Sequence, residues 1–150
     1  MKILLAVDGT KQSEAATTMV GNFQMADGEV KIVSIIDMAL PLAVEVHAGL
    51  PPTSAEIEEI ARQNAFKILE TARQKVRDLI SNENIRVSTE VLFGSPDSRI
   101  VETAEAMNAD LIIVGSHGYN RWERLLLGSV SDSVVHHAPC SVLVVRSPKS

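Results

Sequence analysis

The chain has 150 residues, 45% of them apolar and 22% charged, with a formal net charge of −5. That composition excludes a disordered chain, and no apolar run approaches the roughly 20 residues a membrane-spanning helix needs. A surplus of acid leaves no basic stripe to release counterions from a phosphate backbone, so no nucleic acid is expected as a partner, and no membrane. Length alone predicts one domain spanning 1–150, able to bury about 68–70% of the surface it exposes unfolded without a metal or disulfide staple. The single Cys140 cannot form an internal disulfide, which predicts a reducing, cytoplasmic setting.

Residues 2–7 are a continuous apolar strand, too short for a signal-peptide core, that stops at Asp8-Gly9. A helix is predicted from about Ser13 to Phe23, then a second strand over Val30–Ile36 ending at Asp37. Met38–Pro52 is irregular, proline-containing and nearly uncharged, and long enough to suspect a functional loop. Thr53 and Glu56 then have the spacing of a capping box ahead of a helix over 53–80, with Ile57, Ile60, Ala61, Ala65, Ile68, Ala72, Val76 and Leu79 on one apolar face. At 1.5 Å per residue it would be roughly 40 Å long, so one end should overhang the sheet.

Ile85–Phe93 alternates at Ile85, Val87, Thr89 and Val91 as a half-covered or edge strand would. Ser95-Pro96 starts the next helix, serine as cap and proline at its first position, with Ile100, Val101, Ala104 and Met107 inward. Asp110–Gly115 is too uniformly apolar to be anything but a strand buried on both faces. A polar loop follows, then a helix from Ser129 to His137 ended by Pro139, then a last strand over Ser141–Arg146. Five strands separated by helices imply right-handed crossovers, a mainly parallel sheet and helices on both faces. In such α/β sheets ligands bind beyond the carboxyl ends of the strands, where the winding reverses.

The residues with most chemistry follow the fourth strand: Gly115-Ser116-His117-Gly118, nine residues, then Gly128-Ser129-Val130-Ser131 opening a helix. Glycines let the backbone approach a ligand closely, and a helix N-terminus offers unpaired N–H groups to an anion such as phosphate. Ser129 and Ser131 can cap that helix or donate to phosphate oxygens. Two ordinary turns at Gly118 and Gly128 would explain the same residues. No P-loop is present, and the first strand exits without the glycine-rich turn of a dinucleotide fingerprint. Asp8 reads equally as a cap for the segment after it. His136 and His137 are adjacent on a helix, so they do not share an ion; one should pack and the other meet solvent. No Gly-x-Ser-x-Gly elbow and no poised general base is present, so any hydrolysis would be slow.

The pattern Gly115-x2-Gly118-x9-Gly128-Ser129, with Val130-Ser131 and then His137-Ala138-Pro139-Cys140-Ser141-Val142-Leu143-Val144-Val145, resembles the nucleotide-binding signature of the universal stress protein family. The opening Ile3–Gly9 and the strand Ile32–Asp37 resemble it too, so the likeness covers essentially the whole chain. The resemblance implies a Rossmann-like doubly wound sheet in the order 3-2-1-4-5, and a stress-response sensor or regulator of the ATP-binding branch. It also implies a homodimer through Val142, Leu143, Val144 and Val145, and ATP or AMP at the strand ends. Carried over residue by residue, Asp8 would lie near ribose and phosphates, with Mg²⁺ or Mn²⁺ beside it. Ala6 and Val7 would flank it, Ile35 would meet the adenine, and Gly115, Ser116, His117, Gly118, Gly128, Ser129, Val130 and Ser131 would hold ribose and phosphates. Two departures from the pattern are the loop Tyr119–Arg124, with an acid and two aromatics, and Ser141, where a proline is common. A receiver-like signalling domain, suggested by Asp8 and Asp37 at two strand ends, lacks the paired acid and the late lysine. A dimeric scaffold without nucleotide is the other alternative.

Overall fold

The structure, a computed structural model, describes residues 1–39, 51–116 and 127–147. Its elements alternate as the apolar pattern requires: β1 (Lys2–Ala6), α1 (Lys11–Met19), β2 (Gly28–Ile36), α2 (Ser54–Leu79), β3 (Ile85–Phe93), α3 (Pro96–Met107), β4 (Leu111–Gly115), α4 (Ser129–His137) and β5 (Ser141–Val145). The five strands form one sheet in the order β3-β2-β1-β4-β5. Every pairing is parallel. The doubly wound fold is therefore as expected, with β3 at one edge and β5 at the other.

Strand alternation sends successive side chains to opposite faces, and each face has its own core. Ile3, Leu5, Val30, Ile32, Val87 and Ile113 pack with Ala16 of α1 and Leu69, Ala72 and Val76 of α2. Leu4, Val33, Leu92, Ile112 and Val114 pack with Ile100 and Ala104 of α3 and Val134 of α4. β4 is buried on both faces, and Asp110 ties its start to β1 by donating to the Lys2 carbonyl at 2.8 Å. β3 is open to solvent along much of its length, and Thr89, expected inward, is exposed.

Two helices start where their caps dictate. The Thr10 hydroxyl accepts from the Ser13 N–H at 3.2 Å, so α1 begins two residues earlier than its apolar pattern suggests and tightens into a 3-10 turn over Val20–Asn22. The Thr53–Glu56 capping box is present in both directions, at 2.6 and 3.2 Å. The Thr53 backbone N–H, and then its hydroxyl, hold the Glu56 carboxyl below its usual range.

α2 also corrects the expected apolar face. Ala61, Ala65, Ala72 and Val76 are buried, but the core leucine is Leu69, which the period missed, whereas Ile60 and Leu79 are 48% and 40% exposed. The helix is longer than the sheet beneath it, so Ile60 stands largely clear of the core and Leu79 meets Gly21 rather than a strand. Leu69→Ala should cost about 2–5 kcal/mol, as deleting a buried leucine side chain does. Ile60→Ala should stay within about 1 kcal/mol. Urea unfolding of the two variants checks this, and equal losses would contradict the burial pattern.

Candidate functional site

The carboxyl ends of the strands are uneven, and the unevenness makes a notch. β1 pairs with β2 up to Ala6↔Val33, after which the Val7 N–H donates to the Val33 carbonyl at 2.9 Å. β2 and β3 run on together for three more residues, to Ile36↔Phe93. On the other side β4 pairs with β1 up to Leu5↔Ile113, then ends at Gly115, opposite Val145 of β5. The chain thus drops away above β1 at the point where the winding reverses, with strands standing on both sides.

Asp8 and Thr10 close the floor of this notch. The Asp8 carboxylate accepts from the Thr10 N–H at 3.0 Å and from the Thr10 hydroxyl at 2.6 Å. The Ser13 hydroxyl donates to the Thr10 carbonyl at 3.1 Å and accepts from the Asp8 N–H at 3.3 Å. Thr10 is the cap of α1, so the expected capping role of Asp8 is corrected to that of a carboxylate holding the cap residue. Sequence reading missed Thr10 and Ser13; the signal was there in Asp8-Gly9-Thr10, the residues of an Asx turn. Gly9 has φ +81°, and a Cβ on it would lie 3.1 Å from the Ile68 δ-methyl, so α2 rests directly on this turn.

Packing within the fold already requires glycine at position 115. A Cβ there would stand 2.6 Å from the Gln12 carbonyl carbon and 2.8 Å from the Ser13 nitrogen, so the first turn of α1 packs backbone against backbone on the end of β4. Ser116 is fixed by its N–H, which donates to the Val145 carbonyl at 2.7 Å. His117 and Gly118 lie outside the described residues. Ala6 and Ile35 are half-buried against the α3–α4 side of the sheet. Because strand residues alternate, Ile35 turns its backbone N–H and C=O to the same side as Val33, toward β1.

Across the notch from β2, α4 begins on Gly128, whose φ of −62° any residue could adopt and which brings no side chain to cap the helix. Neither serine caps it, contrary to expectation. Ser129 is exposed, and the buried Ser131 donates its hydroxyl back to the Gly128 carbonyl at 3.1 Å. Val130 packs with the core below. His136 and His137 are both exposed, correcting the expectation that one packs, and each ring Nδ1 lies 2.8 Å from the carbonyl four residues earlier. Burial, with the Asp110 charge, pushes the half-buried Cys140 thiol up, as befits an unreactive cysteine. Among the described residues no three His, Cys, Asp or Glu side chains cluster as a metal site would require.

The family model for the universal stress protein family matches residues 1–146. The chain belongs to that family. A Staphylococcus aureus (strain USA300) protein that carries the universal stress protein name is 38% identical over 97% of this chain and 83% of its own length. A universal stress protein solved in complex with cAMP has a TM-score of 0.70 at 22% identity, over 99% of this chain and 98% of that one. An Arabidopsis thaliana universal stress protein with AMP bound has a TM-score of 0.67 at 16% identity, over 99% and 92%.

In this universal stress protein the position of α4 depends on a bond that the sequence did not advertise. Asp97, in the first turn of α3, accepts from the Ser95 hydroxyl at 2.5 Å and from the Ser133 hydroxyl of α4 at 2.7 Å. Ser95, expected as a side-chain cap, spends its hydroxyl on Asp97 instead. The Ser95 and Ser133 hydroxyls hold the Asp97 carboxyl below the usual carboxylate range. A carboxyl whose folded pKa is depressed stabilises the fold at pH above its unfolded value of about 3.9, and that contribution is lost as pH falls through the folded value. Asp97→Asn should therefore be less stable than the parent at neutral pH, with the gap closing below about pH 4. Urea midpoints for both proteins from pH 7 to pH 2 check this; a gap that does not change with pH would refute it.

Proposed function

We propose that this protein is a regulator of the ATP-binding branch, holding an adenine nucleotide, ATP or AMP, in the notch above β1. The observation that carries the reading is the start of α4. It opens on Gly128 without a capping side chain, so among the described residues nothing answers its first-turn N–H groups and the positive end of its dipole, a place for an anion. With phosphates there, beside Gly115, Ser116, His117, Gly118, Gly128, Ser129, Val130 and Ser131, the nucleoside extends back over Ala6 and Val7. The adenine then meets the outward backbone groups of Ile35, a donor and an acceptor on one strand. Relatives of the same fold that carry AMP and cAMP support an adenine ligand.

The Asp8 carboxylate, exposed at the β1 exit, is a hard oxygen ligand of the kind Mg²⁺ or Mn²⁺ takes together with phosphate oxygens. Such an ion would screen the nucleotide charge from Asp8. The reading includes no catalytic residue; hydrolysis, where it occurs, is slow. A receiver-like domain fits less well, since Asp8 and Asp37 are each engaged in their own turns, Asp37 accepting from the Ala39 N–H at 3.0 Å. The single unit, 1–150, is taken to act in the cytoplasm; no described helix is long and apolar enough to cross a membrane.

Isothermal calorimetry tests the site. Gly128→Val strains no backbone but crowds the helix start, and should weaken ATP about tenfold or more while circular dichroism stays native. Asp8→Asn should weaken ATP in Mg²⁺ or Mn²⁺ far more than in EDTA. A parent that binds neither ATP nor AMP, or a Gly128→Val protein that binds like the parent, overturns the assignment.

The homodimer belongs to the same proposal. β5 is a sheet edge among the described residues, and an uncovered apolar edge is a template for association. Leu143 and Val145 pack toward α1, and Val142 and Val144 toward α4, so what the strand offers a partner is chiefly backbone. The Val145 carbonyl points back to Ser116, so by alternation the Val144 N–H points out. Pairing with a second copy about a two-fold axis would satisfy both edges. Val144→Pro removes that outward donor and spares the ladder to β4. It should shift the light-scattering mass from about 32 kDa, twice the 16.2 kDa chain, toward the monomer. A parent already monomeric at tens of micromolar contradicts the dimer.

A further inference from the structure

α2 does more than cover the sheet. It descends beside α1, and three contacts fix their relative height: Ile68 against Gly9, Lys75 Nζ 3.6 Å from a Glu14 carboxylate oxygen, and Leu79 against Gly21. Ile68 is thus level with the Asp8–Gly9 turn, and the 14 residues of α2 before it, from Ser54, stand above that turn. At 1.5 Å per residue this is a wall about 20 Å tall. One flank of the wall is accounted for: Ala61 and Ala65 pack on Ile36, Val91 and Phe93 at the raised ends of β2 and β3. The flank toward α1, above Ile68, carries Asn64 four residues before it and Ile57 eleven residues before it, one and three helical turns up. Helical side chains lean toward the N-terminus, so both lean upward, on a helix that packs against the side of the notch where β2 outlasts β1.

Asn64 is exposed, and its amide makes no hydrogen bond among the described residues, whereas Gln63 beside it is bonded to Glu59 at 3.1 Å. Ile57, half-buried, gives the same flank an apolar surface. A nucleoside whose phosphates sit at α4 and whose base reaches past β1 to Ile35 arrives at this flank with one base edge still unread. We propose that Asn64 is a specificity-determining residue, its amide reading the edge of the purine that Ile35 leaves free, with Ile57 against the ring. This rests on the nucleotide reading above. An asparagine amide pairs with adenine by accepting from the 6-amino group and donating to N7, and guanine, with an acceptor in place of that amino group, cannot return both bonds.

The test is the ratio of ATP to GTP affinity by calorimetry in Mg²⁺, for the parent, Asn64→Leu and Gln63→Leu. Asn64→Leu should lower the preference for ATP about tenfold, chiefly by weakening ATP, while Gln63→Leu, on the same exposed helix, leaves the ratio as it was. Asn64→Gln should recover part of the preference, a rescue that a merely structural role would not produce. An unchanged ratio in Asn64→Leu, or an equal loss for both nucleotides, overturns the inference while leaving the nucleotide site standing. A parent that binds neither nucleotide overturns the functional reading instead.

Discussion

Much of this structure depends on where β1 stops. The strand pairs for only five residues because Asp8-Gly9 takes the chain out of extended conformation, Gly9 through a positive φ that other residues resist. β2 and β3, unconstrained by that turn, continue upward together. A flush sheet would have offered a ligand a flat rim of paired backbone. The early exit instead leaves a step toward which β2 turns backbone groups that are unpaired among the described residues, and it delivers α1 so close to β4 that only glycine fits at position 115. The same turn receives Ile68, so the height of α2 is set by it as well.

What was legible in the sequence follows from which forces act locally. The strands came from continuous or alternating apolar runs, which burial enforces residue by residue, whereas their order in the sheet came from the resemblance to the universal stress protein family. The Thr53–Glu56 cap was legible because both partners lie within four residues. The face of α2 was only partly so. Periodicity assigns an angle around the helix and says nothing about whether a sheet lies beneath, so Ile60 and Leu79 had the right spacing but no strand to cover them.

The site was less legible, for a related reason. Gly115 is legible as a glycine at a strand exit, but its cause is the backbone of Gln12 and Ser13 in α1, far away in sequence, and no local pattern encodes such a contact. Asp97 and Ser133 are 36 residues apart and join two helices that the sequence presents as independent. Thr10 could have been read, since Asp-Gly-Thr before a helix has a known local geometry, yet Asp8 drew attention as the only charged residue at the strand end. His117 and Gly118 lie outside the described residues, so their roles rest on the spacing of the motif.

The four helix starts differ in a way that bears on where an anion would go. Thr10 and Thr53 cap α1 and α2 with side-chain oxygens. α3 has no capping hydroxyl, but its own Asp97 places a carboxylate in the first turn. A carboxylate there already complements the dipole, so an outside anion gains little at α3. α4 has an acid in its first turn too, Asp132, but that carboxylate lies 3.7 Å from the His136 ring, one turn toward the C-terminus. It therefore faces along the helix rather than back over its start. The positive end of α4 is thus the one of the four that the described residues leave unquenched, and it is held beside the step in the sheet by the same Asp97 that quenches α3. One carboxylate on α3 closes the first of two adjacent helix starts and fixes the second in place.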